Sequence, residues 1–258
     1  MPLSGYVLAL FIGITLGMLG GGGSILTVPV FVYVLGYEPK LAIAMSLPVV
    51  GGASFLGAIG HWRAGNVRVR PALVFGSFTM IAAFGAARAS SRMPDRVQLA
   101  IFGATMLIAS VLMLRDSLKD PATAPAPAPA PEPETRRGWA LMSLLGVLVG
   151  TLTGVIGIGG GFLIVPALVL LARLPMRQAV GTSLTVIAMT TAAAYAGQSG
   201  RGEIPWEFVI LFGGTVTAGI IAGTRAVRYV GQRSLKRAFA VLLLVTAGAV
   251  LWRSGSFF

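Results

Sequence analysis

Two glycine-rich stretches are the parts of this chain best suited to chemistry. A run of glycines destabilises a helix through the backbone entropy that glycine loses, so each stretch predicts an interrupted helix. The first N–H groups of the helix after an interruption lack partners and carry partial positive charge, so they can bind a small anion without a charged side chain. The predicted anion-binding glycines are Gly20, Gly21, Gly22 and Gly23 in the first stretch and Gly157, Gly159, Gly160 and Gly161 in the second.

Hydroxyl side chains accompany both glycine stretches. Ser24 follows the first one and is predicted to be the N-cap of the next helix, a place that Gly161 takes in the second. Ser46 and the pair Thr182-Ser183 lie in the apolar segment that follows each stretch. A hydroxyl can donate to an oxoanion without burying a charge, or it can donate to a carbonyl one turn back in its own helix. Both interpretations stay open.

Few titratable groups are placed to assist such a site. His61 is a candidate carrier of a coupling proton, but its counterpart Gln198 and the adjoining basic loop favour an interfacial structural role. Arg88 and Arg225 end equivalent segments, either as anchors that reach the lipid head groups or as an electrostatic funnel for anions. Apart from Glu207 at the edge of the segment 205–226, the apolar segments contain no acidic residue, which removes the usual proton or sodium site and favours an anion as cargo.

Glycines and prolines also mark how the helices are built. Glycines spaced at intervals of one helical turn let two helices pack closely, an interpretation that applies to Gly13, Gly17, Gly150 and Gly154. The prolines that follow the two glycine stretches, Pro29 and Pro166, are predicted to break the helix.

The composition predicts an all-α protein that crosses a membrane several times. Of the 258 residues, 55% are hydrophobic and 11% charged, whereas a soluble domain carries about 25% charged residues. The net charge of +12 comes from arginines and lysines between apolar segments, which indicates topology and lipid contacts rather than nucleic acid. The absence of cysteine excludes disulfides and thiolate metal sites, and we expect no cofactor or metal.

The chain is a tandem duplication. Its halves align without a gap at an offset of 137 residues (166 minus 29), which places Pro29 on Pro166 and Ser46 on Ser183. An Ala-Pro run between the halves favours polyproline II and cannot form a membrane helix. We predict a first repeat over 1–118, a linker over 119–137 and a second repeat over 138–258. Eight apolar segments are predicted, at about 6–35, 39–60, 68–87, 97–114, 139–172, 175–197, 205–226 and 236–252.

The first segment of each half, 6–35 and 139–172, is longer than one straight span requires. Each is either a kinked span, which gives eight crossings and parallel repeats, or a re-entrant segment, which gives three crossings per half and inverted repeats. Eight crossings divide the 20 basic residues 11 against 9. Re-entrant segments divide them 14 against 6, so the positive-inside rule favours inverted repeats with both termini outside. The six basic residues on the outer side are Lys40, Arg88, Arg92, Arg96, Arg201 and Arg253.

These motifs resemble the TauE/SafE family of sulfite exporters. The resemblance covers both halves: each has a glycine-rich element that ends in proline and is followed by a Ser-Leu pair, Ser46-Leu47 or Ser183-Leu184. The stretch from His61 to Gly65-Asn66-Val67 is also similar to the family's first half. The resemblance implies transport of sulfur-containing anions such as sulfite or sulfonates across the bacterial cytoplasmic membrane.

We therefore expect a secondary transporter, acting as an exporter of a small sulfur-containing oxoanion by alternating access. Its expected partners are that anion and membrane lipids, without nucleic acid; the sequence allows a homo-oligomer. The alternatives are a non-transporting scaffold subunit and an anion channel. An enzyme is not expected, because one histidine, no cysteine and no buried carboxylate pair leave little for acid–base or nucleophilic catalysis.

Overall fold

The computed structural model describes residues 3–90, 93–118, 136–156, 161–197 and 203–255, which are helical and contain no strand. The first half contains α1 (Leu3–Leu19), α2 (Gly22–Pro29), α3 (Pro39–Arg63), α4 (Val69–Ser90) and α5 (Asp95–Leu118). The second contains α6 (Arg136–Ile156), α7 (Gly161–Pro166), α8 (Met176–Gly197), α9 (Trp206–Ala226) and α10 (Gln232–Gly255). π-Helical turns follow α2 (Val30–Val34) and α7 (Ala167–Leu171), and a 3₁₀ turn follows α9 (Val227–Tyr229).

The two halves have the same order of elements. Pro39 begins α3 and Met176 begins α8, at the offset of 137 residues that aligns the two halves of the sequence. The same offset separates the starts of α4 and α9, of α5 and α10, and of the two π turns. The repeat in the sequence is therefore also a repeat in the structure. Most of the predicted linker lies outside the described residues.

Pro29 and Pro166 do not break their helices, so this prediction was wrong. Both have helical dihedral angles, with φ −54 and ψ −40 at Pro29 and φ −56 and ψ −42 at Pro166. Proline removes one N–H from the helical ladder, and the helix after each proline widens into a π turn. In the first of these turns the Leu35 amide donates to the Val30 carbonyl, five residues back, at 3.0 Å.

Six helices of the described chain are long and apolar enough to cross a membrane. About 61% of the apolar window of α3 and of α8 is buried, against 33–39% for the other four, so α3 and α8 form the centre. The shorter apolar helices are α1, α2 and α7 with their π turns. The six candidate spans are Pro39–Arg63, Val69–Ala89, Ala100–Leu118, Gly138–Ile156, Met176–Gly197 and Trp206–Tyr229.

Each half packs its first helix against the other half. A Cβ on Gly13 of α1 would lie 2.8 Å from the Gly219 Cα, and one on Gly17 would lie 3.0 Å from the Thr224 amide nitrogen. Residue numbers rise together along both helices, so α1 and α9 run parallel. The equivalent helices α6 and α4 pack in the same way. The prediction of close helix packing is confirmed for Gly13, Gly17, Gly150 and Gly154, where a side chain would overlap the facing backbone.

The equivalent helices α3 and α8 run antiparallel. A Cβ on Gly51 would lie 2.6 Å from Thr191 Oγ1, and one on Gly57 would lie 3.2 Å from Leu184 Cδ1. Residue numbers therefore fall along α8 as they rise along α3.

The segment 6–35 is a helical hairpin. α3 runs parallel to α9, because Val49 faces Gly213 and Gly60 faces Thr224. α1 is also parallel to α9, so α1 and α3 point in the same direction. α2 and its π turn therefore carry the chain back beside α1 before α3 begins.

One end of the bundle has several polar contacts between its loops and helix ends, two of them from arginine side chains. These contacts join the α3–α4 loop, the start of α8, the turn after α9 and the start of α10. They are Arg68 Nε to Gln178 Oε1 (3.0 Å), Arg177 Nη2 to the Arg228 carbonyl (3.2 Å), and the Met176 amide to Gln232 Oε1 (3.1 Å).

Candidate functional site

The first interruption consists of Gly20 and Gly21. α1 closes with the Gly20 amide donating to the Leu16 carbonyl at 2.8 Å, and α2 begins at Gly22. Gly20 has φ +75, in the left-handed region that side chains rarely adopt. A Cβ at Gly20 would also lie 2.6 Å from Ser183 Oγ. Glycine is therefore required here both by conformation and by space.

Ser24 is not the N-cap of α2, so this prediction was wrong. Gly21 occupies the N-cap position, with φ −135, ψ −17 and no side-chain hydrogen bond. Ser24 lies in the first turn instead, and its hydroxyl donates to the Gly21 carbonyl at 2.7 Å. The reason is that the chain leaves the helix at the first two glycines, and the next two join α2. The first N–H groups of α2 consequently have no side-chain cap.

The two glycine stretches meet in the middle of the protein, at a contact that we call the glycine junction. A Cβ on Gly21 would lie 2.9 Å from the Phe162 amide nitrogen, and one on Gly161 would lie 3.0 Å from Ser24 Oγ. Ser24 and Gly161 are equivalent positions of the two halves, so the same point of each repeat lies at this contact. The remaining predicted members of the second stretch, Gly157, Gly159 and Gly160, lie outside the described residues.

The predicted serine hydroxyls are buried and bonded within their own helices. Ser46 donates to the Ile43 carbonyl and Ser183 to the Val180 carbonyl, each at 2.8 Å. Ser24 donates backward in the same manner. Since a hydroxyl has one proton, the backbone N–H groups at the start of α2, and not these hydroxyls, are the donors left for a ligand in this arrangement.

Thr182 lies on a different face of α8. Its Oγ1 accepts a hydrogen bond of 3.0 Å from the Arg68 amide, which attaches the α3–α4 loop to α8. The structure therefore groups Ser183, but not the Thr182 hydroxyl, with the glycine junction.

His61 and the two candidate steering arginines have different environments. His61 is completely buried, and its Nε2 lies 3.1 Å from the Gly17 carbonyl oxygen, so its contacts are with protein and not with lipid head groups. Arg88 and Arg225 are exposed in the last turns of α4 and α9. The Arg88 guanidinium stacks 4.5 Å above the Phe84 ring, an arrangement that suits an anchor at the bilayer surface.

Three buried polar residues escaped the sequence interpretation. Ser54 and Thr191 are equivalent positions at the α3–α8 contact, and the buried Ser54 Oγ has no partner among the described residues. The signal that could have identified them is that both side chains carry a hydroxyl and that the two positions are separated by the repeat offset. Gln98 of α5 donates to the Val155 carbonyl at 2.9 Å, near the end of α6, and no sequence pattern pointed to it.

The junction suits binding better than catalysis. α2, α7 and their π turns contain no acidic or basic residue. The available chemistry is the partial positive charge of uncapped amides within a buried environment, where electrostatic attraction is stronger than in water. Such a site can hold a small anion and offers no side chain for general acid–base catalysis.

Known proteins share this sequence over nearly its whole length. The family model for the sulfite exporter TauE/SafE matches residues 6–250. A probable membrane transporter protein of Xylella fastidiosa (strain 9a5c) is 32% identical over 249 residues, which cover 94% of this chain and 92% of that protein. The probable membrane transporter protein YdhB of Bacillus subtilis is 26% identical, with 88% of each chain covered. No solved structure matches.

Proposed function

Because the chain belongs to the TauE/SafE family of sulfite exporters and is a multi-pass membrane transporter, not an enzyme, we propose that it carries a small sulfur-containing oxoanion. Sulfite and organosulfonates are the proposed cargo, and export across the bacterial cytoplasmic membrane is the proposed direction. The observation that carries this proposal is the contact of two glycine stretches in the middle of the protein, without a charged side chain on either short helix.

The proposed site holds the anion with backbone N–H groups. The first amides of α2, at Gly22, Gly23 and Ser24, have no side-chain cap. Gly161 begins α7. Ser183, whose hydroxyl faces Gly20, and its repeat equivalent Ser46 are the proposed side-chain contacts. Amides of this kind replace part of the water shell that an oxoanion loses on entering the protein.

The proposed transport mechanism is alternating access between inverted repeats. Support comes from the antiparallel contact of the equivalent helices α3 and α8. The parallel directions of α1 and α3 support a re-entrant hairpin at 6–35, which enters and leaves on one side of the membrane. In this arrangement the basic cluster at Arg68 and Arg177 faces the cytoplasm, in agreement with the positive-inside rule.

Transport of labelled sulfite in proteoliposomes tests this function, with Gly161→Ala as the site variant. A Cβ at Gly161 would lie 2.5 Å from Ile187 Cδ1, a side chain that can move, so the protein is expected to fold. The added methyl group enters the junction, and we expect sulfite transport to fall about tenfold, or about 1.4 kcal/mol.

The matched control is Gly52→Ala on α3. An added Cβ there has nothing within 4 Å, so transport is expected to match the unmodified protein. Unchanged sulfite transport by folded Gly161→Ala would contradict the assigned site. No sulfite or sulfonate transport by the unmodified protein would contradict the proposed function.

A further inference from the structure

The single histidine of the chain is buried with half of its imidazole unused. His61 has 0% of its surface exposed, and Nε2 lies 3.1 Å from the Gly17 carbonyl oxygen. A carbonyl oxygen only accepts, so the imidazole hydrogen is on Nε2 and Nδ1 carries a lone pair. Nδ1 is buried and has no hydrogen-bond partner among the described residues. A buried nitrogen without a partner costs stability, typically about 1–3 kcal/mol.

His61 lies within one helical turn of the glycine junction. A Cβ on Gly181 of α8 would lie 3.0 Å from the His61 Cβ, and Gly20 packs against Val180 and Ser183 of the same turn. The Gly17 carbonyl that His61 binds is also in the last turn of α1, directly before Gly20. A change at His61 can therefore reach the junction through both α1 and α8.

Among the described residues, the charged groups at this end of the elements packed around His61 are basic. Arg177 is on α8, Arg225 and Arg228 are at the end of α9 and in the turn after it, and Arg63 and Arg68 are at the end of α3 and in its loop. α1 contributes no charged residue to this contact. The carboxylate of Asp116 at this end of the bundle is neutralised by Lys236 at 2.7 Å.

A second unused polar atom lies beside the histidine. Thr224 Oγ1 is buried without a hydrogen-bond partner among the described residues. Thr224 packs against Gly60, the residue before His61, and against Gly17, whose carbonyl His61 binds. Within the described part of the chain, a doubly protonated imidazole would thus find a hydroxyl oxygen and positive charges on neighbouring elements, and no unpaired negative charge on them. An oxoanion is the ligand that supplies the missing charge and accepts from both groups.

We propose that His61 couples anion transport to a proton, an inference that rests on the proposed function. Nδ1 takes one proton from water when an oxoanion lies beside it, and the resulting N–H donates to that anion while Nε2 keeps its bond to Gly17. The proton returns to water from Nδ1 when the anion leaves on the other side. Histidine is suited to this because it gains and loses a proton between about pH 5 and 8.

The duplication supplies the variant that tests this inference. The position equivalent to His61 in the second half is Gln198, so glutamine already occurs at this point of the repeat. A glutamine amide can donate to the Gly17 carbonyl in place of Nε2, but it cannot take up a proton. His61→Gln therefore removes the proton and keeps the hydrogen bond to α1.

The experiment uses purified full-length protein in proteoliposomes that contain a pH-sensitive dye. Labelled sulfite and ethanesulfonate serve as probes, because the charge of a simple sulfonate does not change near neutral pH. For the unmodified protein we expect proton movement with either probe, and transport that rises as the loading side is acidified from about pH 8 to 6. For His61→Gln, which also lacks the N–H that donates to the anion, we expect slower probe transport. The protons moved per transported probe are expected to fall at least about tenfold, and the remaining transport is expected to lose its rise between about pH 8 and 6.

The outcomes separate the two proposals. Failure of the unmodified protein to transport either probe overturns the proposed function. Transport of both probes without proton movement by the unmodified protein overturns the role of His61, whatever the variant does. Proton movement retained by His61→Gln also overturns it. Comparison of the two proteins at each pH removes the effect of sulfite's own protonation.

Discussion

Gly20 shows how one residue can be constrained by its own backbone and by its neighbours together. Its φ of +75 excludes most side chains, and its α-carbon faces Val180 and Ser183 of α8. The run of four glycines predicted an interruption, but four identical residues give no indication of which one adopts the left-handed conformation. The interruption lies at the start of the run because α8 packs there, and this tertiary contact also explains why Ser24 is inside α2.

We expect Gly20→Ala to destabilise the protein more than Gly36→Ala. Both glycines have positive φ, +75 and +73, and an alanine in that conformation costs about 1–2 kcal/mol. A Cβ at Gly36 has nothing within 4 Å, whereas one at Gly20 would lie 2.8 Å from the Val180 Cα. Thermal unfolding in detergent measures the difference. Equal losses in the two variants would contradict close contact between Gly20 and α8.

The sequence predicted the helices themselves better than it predicted which helices pack against each other. The spacing of Gly13 and Gly17 predicted that α1 packs closely against another helix, and the structure confirms it. Nothing in α1 indicated that the partner is α9, in the other half, because a surface of small residues can accept any similarly smooth helix. The π turns were also not predicted, since a proline within an apolar segment more commonly ends or kinks a helix.

We expect Gly219→Ala to lower the unfolding temperature and Gly214→Ala to leave it unchanged or raise it. Both glycines lie on α9, where alanine favours the helix by about 1 kcal/mol. A Cβ at Gly219 would lie 2.9 Å from the Gly13 Cα of α1, whereas one at Gly214 has nothing within 4 Å. Unfolding of both purified variants in the same detergent gives the comparison. A stabilised Gly219→Ala would argue against the α1–α9 contact.

The whole molecule is two copies of one unit that depend on each other for packing. The sequence offset of 137 residues predicted the duplication, and the starts of α3 and α8 reproduce it. The opposite orientation of the copies is a prediction from counting arginines and lysines, which is a statistical argument about the membrane. The antiparallel contact of α3 and α8 agrees with that prediction.

Inverted repeats make equivalent residues face opposite sides of the membrane. Arg70 and Glu207 are equivalent, exposed residues in the first turns of α4 and α9. The chain contains no cysteine, so Arg70→Cys and Glu207→Cys each introduce a unique thiol. We expect a membrane-impermeant thiol reagent applied to intact cells to label Glu207→Cys and not Arg70→Cys. Labelling of both from the same side would indicate parallel repeats.

The packing of α1 on α9 also constrains the biosynthesis of the protein. α1 ends at Leu19 and α9 begins at Trp206, so roughly 190 residues are synthesised between them. At a synthesis rate of about 5–20 residues per second, roughly 10–40 s pass between the synthesis of α1 and that of α9, and the glycine face of α1 has no partner during this interval. During that time the nascent chain exposes backbone-rich surface that other small-residue helices can occupy. Formation of the α1–α9 contact is therefore a late step in the assembly of the protein.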